Sequence, residues 1–222
     1  MFKKALSVAI DGPAGAGKST VSRMLAETNG FELLDTGAMY RSFAWLDLQK
    51  KYGNSLSDKI ADHEFVFDMS KGSMKVTCDG RDITKEIRSS EVTAHVSQVA
   101  ADSDVRRIAV SRQQEFIAHE LAAGKSVVLE GRDIGTVVLP NADLKFFLTA
   151  SPLKRAERRA AEVGGEVHEI AAAIAKRDEL DSSRESSPLT QATDAILIDA
   201  SELSPVEVVD LMTSYIESVQ NV

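Results

Sequence analysis

Leu6-Ser-Val-Ala-Ile-Asp11-Gly12-Pro-Ala-Gly-Ala-Gly17-Lys18-Ser19 joins an apolar run to a glycine-rich turn that closes on lysine and a hydroxyl. The run is continuous rather than alternating, as expected of a strand covered on both faces in a parallel sheet. Gly12, Pro13, Ala14, Gly15, Ala16, Gly17, Lys18 and Ser19 fit G-x-x-x-x-G-K-[ST], the P-loop pattern. The stretch that follows, Lys18–Glu27, is amphipathic and reads as a helix, so the turn lies between strand and helix as the pattern requires. Glycines allow backbone N–H groups to turn inward around phosphate oxygens, beside the positive end of the helix dipole. Lys18 adds a mobile point charge, and the Ser19 hydroxyl is a magnesium ligand of the right kind. A glycine-rich turn alone is weak. With strand, lysine, hydroxyl and helix in register, the reading is specific for gripping the phosphates of a nucleoside triphosphate.

Four further apolar runs extend the pattern: Phe31–Leu34, Ser126–Leu129, Leu144–Leu148 and Ala195–Ile198. Amphipathic stretches at Ala38–Lys51, Val105–Ala123, Pro152–Val163, Glu169–Leu180 and Pro205–Val219 read as helices between or after them. Strands alternating with helices predict an α/β fold of three layers around a five-stranded parallel sheet. Asp11, Asp35, Glu130 and Asp199 close four of the runs. Ligands of such sheets bind outside the carboxyl ends of the strands, which makes these positions candidates; Asp199 reads as a simple strand end.

Residues 65–88 break the alternation. Met74–Cys78 alternates polar with apolar and runs into Asp79-Gly80, a strong hairpin signal, with Phe65–Met69 and Asp82-Ile-Thr as pairing partners. The prediction is a small antiparallel β/helix insert at 57–101, within a core domain formed by 1–56 and 102–222. The tetrapeptide Gly-Arg-Asp-Ile occurs at Gly80–Ile83 and again at Gly131–Ile134. The first belongs to the hairpin turn. The second follows Val127-Val128-Leu129-Glu130 at the ligand edge of the main sheet and is the functional candidate.

Bulk composition narrows the partners. With 222 residues, 43% hydrophobic, the chain is long enough to bury a substantial core. The net charge of -8 argues against broad nucleic-acid binding, which needs a basic face. Met1–Leu6 is too short for a leader, and no apolar run approaches the ~20 residues of a membrane helix. The single cysteine, Cys78, cannot form an internal disulfide, and the four histidines show no zinc-ligand spacing. The expectation is a cytoplasmic monomer without membrane or nucleic-acid partners.

On such an acidic chain, clustered arginines are informative. Arg155, Arg158 and Arg159 fall at i, i+3, i+4 on one helix face, and Arg177, Asp181 and Arg184 at i, i+4, i+7 on another. Taken singly, each set reads as a solvated face or an ion pair worth a few tenths of a kcal/mol. Beside a phosphate loop they suggest cations that bridge two phosphate-bearing substrates, with Arg158 or Arg159 and the Arg177/Asp181/Arg184 set as candidates. The Asn-Lys-x-Asp base-reading motif of a GTPase switch is absent.

The chain resembles the bacterial-type cytidylate kinases, a family of nucleoside monophosphate kinases. The resemblance is carried in family order by Asp11–Thr20, Leu34–Arg41, Ile83–Ala101, Glu130–Thr136 and Lys176–Arg184. It implies ATP with Mg2+ as phosphoryl donor and CMP or dCMP as acceptor. Asp35, Thr36, Tyr40, Arg41, Ser97, Arg106, Arg132 and Asp133 would line the monophosphate site, with Ser97 and Asp133 reading cytosine. Arg177 and Asp181 would contact the sugar, and Arg184 the phosphates. Thr20, the hydroxyl that many relatives keep, shares the candidacy for magnesium with Ser19. Lys18, Arg132, Arg158, Arg159 and Arg184 are the expected catalytic cations. The acceptor oxygen belongs to a phosphate monoester whose second pKa is about 6, so it needs no general base. Stabilising charge spread over the transferred group calls for lysine, arginine and magnesium instead. Excluding water predicts closure of the insert and of a short lid near 155–165.

Overall fold

The computed structural model describes residues 4–49, 55–68 and 74–220. In chain order it opens with β1 (Ser7–Asp11), α1 (Lys18–Asn29), β2 (Glu32–Asp35), α2 (Thr36–Leu48) and α3 (Leu56–Asp62). Next come β3 (Phe65–Asp68), β4 (Lys75–Cys78), β5 (Arg81–Asp82), α4 (Ser90–Val99) and α5 (Ser103–Ala122). The chain finishes with β6 (Val127–Gly131), β7 (Leu144–Thr149), α6 (Pro152–Val163), α7 (Val167–Ser182), β8 (Ile196–Asp199) and α8 (Pro205–Gln220). It forms two compact units, one of Met1–Leu34 with Phe116–Val222 and the other of Asp35–Glu115.

The first unit is built on an all-parallel sheet in the order β2-β6-β1-β7-β8. Val8, Ala9 and Ile10 of β1 and Val127, Val128 and Leu129 of β6 have no exposed surface. That is why these strands read as unbroken apolar runs: neither pleat faces water. Ile10 pairs with Glu130 and Asp11 with Gly131, so the ends of β1 and β6 bring their carboxylates to one edge. All but β7 start one residue later than their apolar runs, and all but β6 end one residue later, at Asp11, Asp35, Thr149 and Asp199. A ladder needs only backbone groups, so pairing continues beneath a polar side chain after the apolar signal has ended. Helix α1 packs on α8, and Tyr215 of α8 meets Phe146 of β7 edge-on with centroids 6.0 Å apart.

The second unit holds a three-stranded antiparallel sheet in the order β3-β4-β5, reached through the Asp79-Gly80 turn. Asp79 and Gly80 both have positive φ, 49° and 78°, as a two-residue hairpin turn requires. The strand β5 is only two residues long, although Ile83 N still donates to Val76 O at 2.9 Å. Phe43 of α2 meets Phe65 of β3 edge-on, and the Arg112 guanidinium lies 5.7 and 6.0 Å from the two ring centres. This unit takes in the stretch 57–101 expected as an insert, together with α2 and the N-terminal part of α5. Met69 of the expected pairing strand and Lys51, the expected end of the second helix, lie outside the described residues.

Candidate functional site

In the first unit the glycine-rich turn between β1 and α1 is shaped by contacts that exclude side chains. At Gly12, φ is +149° and a Cβ would stand 2.0 Å from Leu148 O, so only glycine fits beside β7. Gly17 occupies the position before α1 with φ 93°. No side chain caps this helix and its first turn carries no acid, whereas α3, α4 and α6 are capped by Ser55, Ser89 and Ser151. The first N–H groups of α1 are therefore available to an anion, and the helix dipole favours one there.

Lys18 is buried inside the turn, where its Nζ donates to Gly12 O at 2.7 Å and Pro13 O at 2.8 Å. Burial, helped by the like charges of Arg132 and Arg177 and opposed by Glu130, lowers its ammonium from 10.5 to about 7. Ser19 Oγ donates to Glu130 Oε1 at 2.5 Å. The buried Asp11 carboxylate accepts from Ile134 N at 2.8 Å and Gly135 N at 2.7 Å. Burial raises the Asp11 carboxyl from 3.8 to about 6 against the pull of those two donors. Asp11 thereby ties the end of β1 to the segment that carries Arg132 and Asp133.

A second constellation of this unit centres on Asp181 of α7, which is 1% exposed. Its Oδ2 accepts from Arg132 Nε at 2.8 Å and its Oδ1 from Arg184 Nη2. One buried carboxylate thus orients two guanidinium groups and leaves a net positive charge. The helix face Arg155/Arg158/Arg159 does not act as one group. Arg158 spends its donors on backbone, with Nη1 on Ala16 O at 3.4 Å and Nη2 on Ala200 O and Leu203 O. Arg159 pairs with Glu162 at 2.9 Å on the exposed face. Arg155 reaches Ala14 O and Asp178, contacts that helical spacing does not signal.

In the second unit Asp35 does two jobs. Its Oδ1 accepts from Ala38 N at 2.8 Å, capping α2, and its Oδ2 accepts from Arg41 Nη2 at 2.9 Å. Arg88 Nη2 lies 3.9 Å from the same oxygen. Arg88 falls within the family-like stretch 83–101, but nothing in its spacing separates it from the neighbouring charged residues. Arg106 is buried, donates to Ala100 O at 3.0 Å and lies over the Tyr40 ring at 5.5 Å. Thr36 is buried at the first position of α2, and Ser97 is half-buried on α4. His63, Cys78 and Asp79 also cluster here, yet Asp79 already accepts from Glu64 N and pairs with His63 Nδ1. With the Cys78 thiol pushed up by burial, this group ties the hairpin turn to the loop after α3.

Among the described residues no helix is long and apolar enough to cross a membrane. Residues 8–218 match the family model for cytidylate kinase. The cytidylate kinase of Caldanaerobacter subterraneus subsp. tengcongensis is 45% identical over 95% of this chain and 94% of its own length. That of Geobacter sulfurreducens is 43% identical over 96% of this chain and 94% of its own. Among solved structures, a shikimate kinase from Acinetobacter baumannii aligns over 98% of this chain and 96% of its own at TM-score 0.51 and 15% identity. An uncharacterized protein from Eubacterium ventriosum aligns over 97% of this chain and 99% of its own at TM-score 0.57 and 14% identity, a likeness of fold alone.

Proposed function

We propose, from the premise that the chain belongs to the cytidylate kinase family and moves a phosphoryl group from a nucleotide to CMP, that the donor is ATP and the transfer an in-line displacement. The observation that carries this reading is Lys18 buried in a glycine turn at an uncapped helix start. The N–H groups there and Lys18 hold the β- and γ-phosphates of ATP. Arg132 and Arg184, aligned by Asp181, meet the charge that spreads over the transferred group. Arginine suits the role because its planar fork holds phosphate oxygens bidentately.

Arg41 and Arg88, gathered at Asp35, and the buried Arg106 supply cations for the monophosphate. Ser97 and Asp133 read the cytosine, and Arg177 and Asp181 the sugar. The acceptor oxygen is already ionised near neutral pH, so no side chain has to remove a proton from it. Magnesium takes hard oxygen ligands, and the Ser19 hydroxyl with the Glu130 carboxylate beside it fits a site that would neutralise phosphate charge. We assign Ser19 rather than Thr20 on that hydrogen bond. Arg158, fixed on three carbonyls, and Arg159, paired on the surface, support the α6 helix and the turn rather than the reacting group.

ADP release measured with CMP, dCMP, UMP and AMP in parallel tests the proposal. CMP and dCMP should stimulate release far above the rate with ATP alone. ATP hydrolysis that is indifferent to every acceptor would refute it.

A further inference from the structure

We propose that Asp178 and Arg155 are positioning residues that set the phosphate loop by clamping both polar groups of Ala14. The inference rests on the reading of that loop as the grip on ATP. Ala14 N donates to Asp178 Oδ1 at 2.9 Å, and Ala14 O accepts from Arg155 Nη1 at 2.9 Å. The same Nη1 donates to Asp178 Oδ2, which closes a ring of three groups. Arg155 Nε is anchored in turn on Ala150 O at 3.2 Å. Arg155 is 9% exposed and Ala14 6%, so water does not substitute for these partners.

The seat continues at the next residue. A Cβ at Gly15, where φ is +75°, would lie 2.9 Å from Arg155 O and 3.3 Å from Ile174 Cδ1. The crest of the loop therefore rests on one residue of α6 and two of α7. Because Arg155 and Asp178 neutralise each other, the clamp acts on geometry and adds no charge to the grip. It also withdraws the Ala14 N–H from the phosphates, leaving the N–H groups from Gly15 onward to face them. Ala14, expected as an ATP ligand, becomes the point at which the loop is held.

A purely structural alternative makes a distinct prediction. Arg177 and Asp181 lie on α7 beside Asp178. If Asp178 merely docks that helix, its loss disturbs the acceptor site at least as much as the ATP site. If it positions the loop, ATP suffers alone.

Titration calorimetry of the full chain with ATP and, separately, with CMP distinguishes the two. Asp178→Ala should weaken ATP about tenfold or more, the effect of removing a hydrogen bond to a charged group, with CMP affinity within about twofold. Asp178→Asn keeps an acceptor for Ala14 N–H and should recover most of the ATP affinity. Parallel losses for ATP and CMP, unchanged ATP binding in Asp178→Ala, or an Asn variant as weak as the Ala variant would each overturn the clamp. Failure of the unsubstituted chain to bind ATP would instead overturn the functional reading beneath it.

Discussion

Lys18 is a cation buried among cations, and its titration follows from that placement. Burial and the charges of Arg132 and Arg177 hold it near pH 7 instead of 10.5. At pH 8 the ammonium is therefore mostly deprotonated, and a polyphosphate placed against it favours the charged form and raises its pKa. ATP binding at pH 8 should then take up close to one proton, and at pH 6, where Lys18 already carries its proton, this uptake should vanish. Calorimetry in buffers of different ionisation enthalpy reads the proton count directly. Lys18→Arg, charged at both pH values, should show no uptake from this position at pH 8. An uptake unchanged by that substitution would locate the proton elsewhere. Lys18 was legible from the motif, but its depressed pKa was not, because Arg132 and Arg177 reach it only through the fold.

At the scale of elements, the join of β1 to α1 is the most constrained part of the first unit. Gly12→Ala would set a methyl carbon 2.0 Å from the backbone oxygen of Leu148 while keeping a backbone conformation that side chains rarely adopt. Strain of this kind costs on the order of 1–3 kcal/mol before the clash is relieved. The variant should melt several degrees lower and lose ATP affinity, whereas Gly30→Ala, where a Cβ meets nothing within 4 Å, should cost only its own backbone strain. Equal melting temperatures for the Gly12 and Gly30 variants would contradict the packing argument. Elements themselves were readable because burial on both faces writes an unbroken apolar run and a half-buried helix writes a 3.6-residue period. The two Gly-Arg-Asp-Ile copies separate as their flanks foretold, one running from the hairpin turn through β5 and the other from the end of β6. The Arg155/Arg158/Arg159 face was the harder reading. Helical spacing reports which side chains share a face, while their partners Ala14, Ala16 and Ala200 lie 141, 142 and 42 residues away in sequence.

For the whole molecule, membership of the cytidylate kinase family follows from a match that spans residues 8–218 rather than from the phosphate loop alone. The loop is shared by folds with many acceptors, as the likeness to a shikimate kinase at 15% identity illustrates. Two carboxylates gather arginines that are far apart in sequence: Asp35 holds Arg41 and faces Arg88 in one unit, and Asp181 holds Arg132 and Arg184 in the other. Sequence spacing found the Arg177/Asp181/Arg184 face, the end of an apolar run marked Asp35, and family resemblance supplied Arg41. Neither could show that Asp181 holds Arg132, since a contact spanning 49 residues leaves no periodic trace.

Single-turnover transfer of label from γ-labelled ATP, with enzyme in excess and CMP as acceptor, tests the central claim most directly. The label should appear in the terminal phosphate of CDP, with no free phosphate formed ahead of it, and Lys18→Ala should abolish the transfer while the variant stays folded. Label released as inorganic phosphate at a rate independent of CMP would contradict the account.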